Sequence, residues 1–317
     1  MSWTKKVDCQ NGWRGRVSAP GSLMLLGEHA VLHGHPALVG AINQRIQVQF
    51  SELPEREIQI DSALGTYQDS LDKPQPSHSF RFVLEAVSRY QAHLSGGVKF
   101  EIKSDFSDQI GFGSSAAVTA AIVAALEYAT GKKVPDPETV FLRGLEIIRT
   151  VQGRGSGADL AASIFGGVVF YTQEQTPRAL ALSFPLTAVY CGYKTPTPEV
   201  VAQVEQWRQK DPEKFERIFN GMTQEVNRAW NALEQGHHRE MGAALNRGET
   251  WMKELGVSTP ELDEIVQMLQ NDAQVFGAKI SGSGLGDCAL GWGRASSEKL
   301  AYPCYDLEVD AEGLLYE

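Results

Sequence analysis

The chain has 317 residues, 42% of them hydrophobic and 21% charged, with a formal net charge of −10. That balance excludes disorder over most of the length and predicts two domains, or one large one, at roughly 150 residues each. The acidic total, with no basic tract, excludes the electrostatic footprint of a nucleic-acid or anionic-membrane binder and leaves a small molecule or a protein as the expected partner.

Cys9, Cys191, Cys288 and Cys304 lie far apart with no CxxC or Cys/His spacing, so neither a zinc site nor a disulfide framework is expected. Residues 1–10 carry Lys5, Lys6 and Asp8 in place of an apolar signal core, and the most apolar helical stretch, 116–126, is too short for a bilayer. The expected location is the cytoplasm.

Residues 14–18 and 45–50 read as short strands, the second alternating Ile46, Val48 and Phe50 with Gln47 and Gln49. The polar stretch 54–78, with Pro54, Pro74 and Pro76, predicts a surface loop before a helix over 80–94. Gly96 and Gly97 stop that helix, 98–102 alternates as a strand, and 104–113 forms a loop feeding a small-residue helix over 114–130. Asp136 is a natural N-cap for a further helix, with Pro137 at the first position where a missing N–H does no harm. A short helix is expected to begin at Asp159, and strands over 168–171 and 188–192. Amphipathic helices follow near Pro198, Pro212, His238 and Pro260, the last capped by Thr259. Residues 276–281 and 288–292 frame a Gly-rich turn between two strands. Strands mixed with helices throughout predict α+β or α/β, and the helical block after about residue 195 predicts a second lobe.

Three Gly-rich regions carry the chemistry. In the first, residues 19–38, Glu28 and His29 follow Gly27 at a strand end; taken alone, this is an ordinary hairpin with a surface acid and a satisfied histidine, or a pair of titratable groups at a site. The second is Ile110-Gly111-Phe112-Gly113-Ser114-Ser115-Ala116-Ala117, where a loop meets a helix start. Unpaired first-turn N–H groups and the positive end of the helix dipole make that junction an anion cradle, or else a plain serine cap. No lysine follows in Walker spacing, and GxGxxG is absent. The third region comprises residues 153–159 and 277–286. Asp159 there is either an acid complementing a helix dipole or an acceptor for a substrate hydroxyl proton, taken late in phosphoryl transfer.

In combination, PGSLMLLGEHAVLHGHPAL, GFGSSAA and KISGSGLGDC resemble the three signature motifs of the GHMP small-molecule kinases, closest to the mevalonate kinase branch, with phosphomevalonate kinase next. Gly256-Val257-Ser258-Thr259-Pro260-Glu261-Leu262 is similar to that branch as well. The resemblance implies a two-lobed α+β fold. An ATP-binding N-terminal lobe of mixed sheet and helices would span 1–185, and a C-terminal lobe of helices on an antiparallel sheet would span 186–317, with ATP and substrate between them. It implies that Gly111, Phe112, Gly113, Ser114, Ser115 and Ala116 wrap the ATP phosphates, with Ser115 a Mg²⁺ ligand and Asp159 the catalytic base. Glu28, His29, Gly282 and Ser283 would then lie at the acceptor substrate.

The implied activity is ATP-dependent phosphorylation of a small acidic alcohol, with mevalonate 5-phosphorylation in isoprenoid precursor synthesis first. Phosphomevalonate or sugar kinase, decarboxylation of a phosphorylated mevalonate, and a non-catalytic metabolite sensor stand as alternatives, and a homodimer is open.

The sequence departs from the family pattern at four places. Ser22 stands where the mevalonate branch has lysine, and Ile148 where it has a metal-binding glutamate. Glu146 is two positions away and, at about 100° per helical residue, on another face. Ser107 and Gln109 replace the usual Pro and Gly at the phosphate loop, and Leu285 and Asp287 replace glycines in the third motif. Losing one electrostatic stabiliser costs about 100- to 1,000-fold, so a replacement cation is expected, with Arg154 and Lys103 the candidates.

Overall fold

The structure, a computed structural model, describes residues 12–107, 110–131, 133–153, 155–296 and 301–317. β1 (Arg14–Leu26) and β2 (Ala37–Leu53) pair antiparallel along most of their lengths. Both run well past the short strands expected at 14–18 and 45–50. Pro20-Gly21 reads as a break in the sequence, but the sheet absorbs it as a register shift at that step, an irregularity that lets the ladder continue. A single 3₁₀ turn over Ala30–His33 joins the two strands.

The expected surface loop over 54–78 is instead largely a hairpin of β3 (Glu57–Ser62) and β4 (Gly65–Ser70). Ile58 and Ile60 alternate with polar neighbours and are buried, while the three prolines all fall outside the two strands. Composition across the stretch masked a period-2 pattern only a few residues long.

α1 (Arg81–Tyr90) and β5 (Gly97–Ser104) follow as expected, β5 lying between β2 and β3 and parallel to β3. α2 (Ser114–Gly131) buries Ala116, Ala117, Ala120, Ala121, Ala124 and Ala125, small side chains that let it lie close to β1 and β2. α3 (Pro137–Gln152) starts on the Asp136 carboxylate, which accepts the Thr139 N–H at 3.2 Å. α4 (Ala158–Phe165), β6 (Val168–Tyr171) and β7 (Arg178–Leu180) complete this half. The first sheet is mixed, in the order β12-β1-β2-β5-β3-β4, with β6 on β2, β7 on β6 and β12 (Leu315–Tyr316) returning beside β1.

The second sheet is antiparallel, with β8 (Pro185–Tyr190), β9 (Val275–Ser281), β10 (Cys288–Gly293) and β11 (Cys304–Glu308) in the order β11-β8-β10-β9. Between β8 and β9 the chain forms α5 (Thr197–Lys210), α6 (Pro212–Glu234), α7 (His238–Leu255) and α8 (Pro260–Gln270). Thr259 caps α8 by accepting the Leu262 N–H. α7 meets β9 backbone to backbone: a Cβ on Gly277 would fall 1.9 Å from the Gly242 carbonyl oxygen.

This is the two-lobed α+β architecture expected from the sequence. The sheets meet where the end of β1 faces the end of β9, and the Ser281 hydroxyl donates to the Met24 carbonyl at 2.9 Å. Cys191, Cys288 and Cys304 are free thiols, and Cys9 lies outside the described residues. No helix among the described residues is long and apolar enough to cross a membrane.

Candidate active site

The second Gly-rich segment leaves β5 and turns into α2 against the end of β1. Gly113 has φ +69°, and a Cβ there would sit 2.1 Å from the Ser22 hydroxyl, so only glycine allows this approach. The Ser22 N–H donates to the Phe112 carbonyl at 3.0 Å. The Phe112 ring is buried, 6.0 Å from Phe106 and 5.4 Å from Tyr305 between ring centroids, and so anchors the loop from the core side. The N–H groups of Ala116 and Ala117 bond back to Gly113. Those of Ser114 and Ser115 come before the first intrahelical bond, at the positive end of the dipole, where an anion is favoured.

Asp159 stands in the first turn of α4, set by Gly157 at φ +92° and by the Ser156 hydroxyl, which accepts the Ala158 N–H at 3.2 Å. Its Oδ1 accepts the Ser22 hydroxyl proton at 2.8 Å. Burial raises the Asp159 carboxyl above the ordinary range. The Ser22 bond and the nearby Lys194 ammonium pull it partly back, and the Glu28 charge adds a smaller upward push.

The third-motif turn joins β9 to β10 with Leu285 and Asp287 both at positive φ, +55° and +73°. Polar contacts hold each against the strain. The Leu285 N–H donates to Val257 at 2.7 Å, and its carbonyl accepts the Thr195 hydroxyl at 2.6 Å. The Asp287 carboxylate accepts the Gly111 N–H at 2.9 Å and pairs with Lys194 at 3.0 Å. A Cβ on Gly111 would lie 2.3 Å from that carboxylate.

His29 links the first motif to the third: its Nε2 lies 2.8 Å from the Ser283 carbonyl. Burial lowers its pKa, and a carbonyl only accepts, so the neutral ring carries its proton on Nε2. Glu28 is buried against Lys279, whose ammonium also donates to the Ile280 carbonyl. Behind this pair the Ile280 N–H donates to Glu249 at 2.9 Å, and burial raises the Glu249 carboxyl to about 7.

One cavity of about 320 Å³ collects these groups. Gly111, Gly113, Ser114, Ser115, Ala116, Asp159, Glu28, His29, Gly282 and Ser283 all line it, although they come from four separate parts of the chain. Phe112 contributes its carbonyl to the loop while its ring turns into the core. Ile148 is in the wall, whereas Glu146 is on the outer surface, 3.0 Å from Arg89. Of the two candidate cations, Lys103 is exposed and outside the lining, and Arg154 lies outside the described residues. Lys194, which motif reading passed over, borders the cavity from the loop between β8 and α5. The available signal was its position, a charged loop residue directly after a core strand.

Among the described residues no group of three or more His, Cys, Asp or Glu side chains could hold a metal ion. A Mg²⁺ ion needs only one or two protein oxygens when phosphates and water supply the rest, and the Ser115 hydroxyl beside the helix start fits that donor set.

The GHMP kinases N-terminal domain family matches residues 81–167, and the GHMP kinases C-terminal family matches 231–303. A mevalonate kinase of Archaeoglobus fulgidus is 31% identical over 302 residues, covering 95% of this chain and 99% of the relative. The chain belongs to the GHMP kinase family. Among solved structures, a Listeria innocua protein superposes with a TM-score of 0.83 at 20% identity, over 96% of this chain and 99% of that one. The mevalonate kinase of Methanococcus jannaschii superposes with a TM-score of 0.80 at 22% identity, over 94% and 99%. This GHMP kinase is therefore a small-molecule kinase, and its cavity lies where the three motifs meet.

Proposed function

We propose that this kinase transfers the γ-phosphoryl group of ATP to the 5-hydroxyl of mevalonate, in the cytoplasm. Residues 1–185, joined by β12 returning beside β1, would form the ATP-binding lobe, and the chain from 186 to β11 the second lobe. The observation that carries the reading is the meeting, in one cavity, of the open amino end of α2 and the Asp159 carboxylate, in a chain that matches a mevalonate kinase end to end. In this reading the N–H groups at Ser114 and Ser115 take the phosphates. Mg²⁺, arriving with the nucleotide and held by Ser115, would neutralise phosphate charge.

The acceptor oxygen forms a bond to the γ-phosphorus as the bond to the β–γ bridging oxygen breaks, and ADP departs. The hydroxyl proton passes late in transfer to Asp159, which burial has made a better base than an ordinary carboxylate. Ser22 orients that carboxylate by donating to Oδ1. His29, with its ring fixed on Ser283, and Gly282 border the acceptor side. Glu28, neutralised by Lys279, shapes the wall.

The test is incubation of the purified protein with Mg-ATP and mevalonate, following ADP, carbon dioxide and the product mass together. ADP with a singly phosphorylated mevalonate and no carbon dioxide is expected. Carbon dioxide from a phosphorylated mevalonate, or ADP only with phosphomevalonate or sugars, would sink the assignment. Asp159→Asn should lower kcat by about 100- to 10,000-fold while nucleotide binding persists.

A further inference from the structure

We propose that Lys194 is the cation that meets the terminal phosphate of the bound nucleotide, and that Asp287 holds it in readiness until the nucleotide arrives. The inference rests on the kinase reading above, and the arrangement of charge in the cavity carries it. Glu28, Asp159 and Asp287 all border the cavity, and Lys194 is the one lysine or arginine among the described residues that does so. Lys279 already neutralises Glu28. A polyphosphate entering the cavity therefore meets the carboxylates of Asp159 and Asp287, and among the described lining residues Lys194 is the one side-chain ammonium or guanidinium set against them.

The backbone fixes where the Lys194 stem starts. The Cys191 N–H donates to the Asp287 carbonyl at 2.9 Å, the Asp287 N–H donates to the Tyr193 carbonyl at 2.8 Å, and the Thr195 hydroxyl donates to the Leu285 carbonyl at 2.6 Å. The chain on both sides of Lys194 is thus laced to the third-motif turn. Only the four-carbon side chain is left to swing, and it remains about a third exposed.

The partners of Asp287 complete the argument. Its carboxylate takes one backbone N–H from the Gly-rich loop, at Gly111, and one ammonium, at Lys194. Those are the donors a phosphate oxygen uses: an amide at a helix-start loop and a lysine point charge. The carboxylate, on a backbone strained to φ +73°, imitates the ligand. A terminal phosphate carries more negative charge than the carboxylate, so the ammonium exchanges one partner for the other when the nucleotide binds.

The experiment compares dissociation constants for ADP and for the non-hydrolysable ATP analogue AMPPNP, each with Mg²⁺, by titration calorimetry. Lys194→Met should weaken AMPPNP binding by about 10- to 100-fold, as expected for a lost charge-assisted hydrogen bond, and leave ADP affinity nearly unchanged. Lys194→Arg should retain the preference for AMPPNP. Asp287→Asn should tighten AMPPNP by removing the competing negative charge, and it tests the proposal independently of how well the lysine variants fold. An unchanged AMPPNP-to-ADP ratio in Lys194→Met, or weaker AMPPNP binding in Asp287→Asn, would overturn it. Because the readout is binding, it stands apart from the substrate assignment: a wild-type protein inert toward mevalonate would sink that assignment and leave the phosphate contact measurable.

Discussion

Two lysine–carboxylate pairs flank the same cavity, and they are built for opposite purposes. In the Lys279–Glu28 pair the side chains are 1% and 3% exposed, and the ammonium is further tied to the Ile280 carbonyl. In the Lys194–Asp287 pair they are 32% and 13% exposed, and the carboxylate is shared with the backbone N–H of Gly111 in the Gly-rich loop. Separating the first pair strands a charge in a dry interior, so it behaves as part of the scaffold. Separating the second costs little because water and an arriving anion replace each partner. Burial, and not charge type, decides which pair is fixed and which can open.

The contrast breaks most visibly at the scaffold pair. Lys279→Met leaves Glu28 buried without its partner and should destabilise the protein by about 3–5 kcal/mol, whereas Lys194→Met should change stability by less than about 1 kcal/mol. Urea unfolding of the two variants side by side measures the difference, and equal losses would erase the distinction.

Glu249, next to the buried pair, sharpens it through pH. Its carboxyl is raised from 4.5 to about 7 by burial, so the folded protein holds a proton that the unfolded chain releases. Stability from this group is complete below about pH 4.5 and is lost as the pH rises through about 7, a change of about 3 kcal/mol. Glu249→Gln should remove that share of the slope, and unfolding free energies at the two ends of the range would reveal it. An unaltered slope would mean that the group is already ionised in the fold.

The smallest effect belongs to Ser22→Ala. The hydroxyl donates to the charged form of Asp159, so its loss should move the acid limb of the kcat/KM profile to higher pH and slow turnover by less than about tenfold. An acid limb that stays in place would show that the hydroxyl is not an important donor to that carboxylate.

Much of the framework was legible in the chain. The helix starts at Asp136 and Thr259 follow from side-chain capping that local sequence encodes, and the structure makes both bonds. The β3–β4 hairpin was not legible, because its six-residue strands sit among prolines that dominate the composition while Ile58 and Ile60 carry the signal alone. The site divides the same way. Gly111 to Ala116 announces a helix start with room for an anion, and Asp159 announces a carboxylate in a first turn. Lys194 has no motif around it, and its place beside the cavity follows only from the lacing of 191–195 to the turn before β10.

What the amino-acid sequence determined by itself was the family, the lobed mixture of strands and helices, and the glycines and caps that shape each junction. These depend on propensities and hydrogen bonds reaching a few residues along the chain. Only the tertiary structure decided that Ser22 would orient Asp159, that Asp287 would face the Gly111 loop, and that one lysine would be buried as scaffold while another stayed at the rim. Each of those outcomes depends on which groups from distant segments share a low-dielectric space, and no local pattern carries that information.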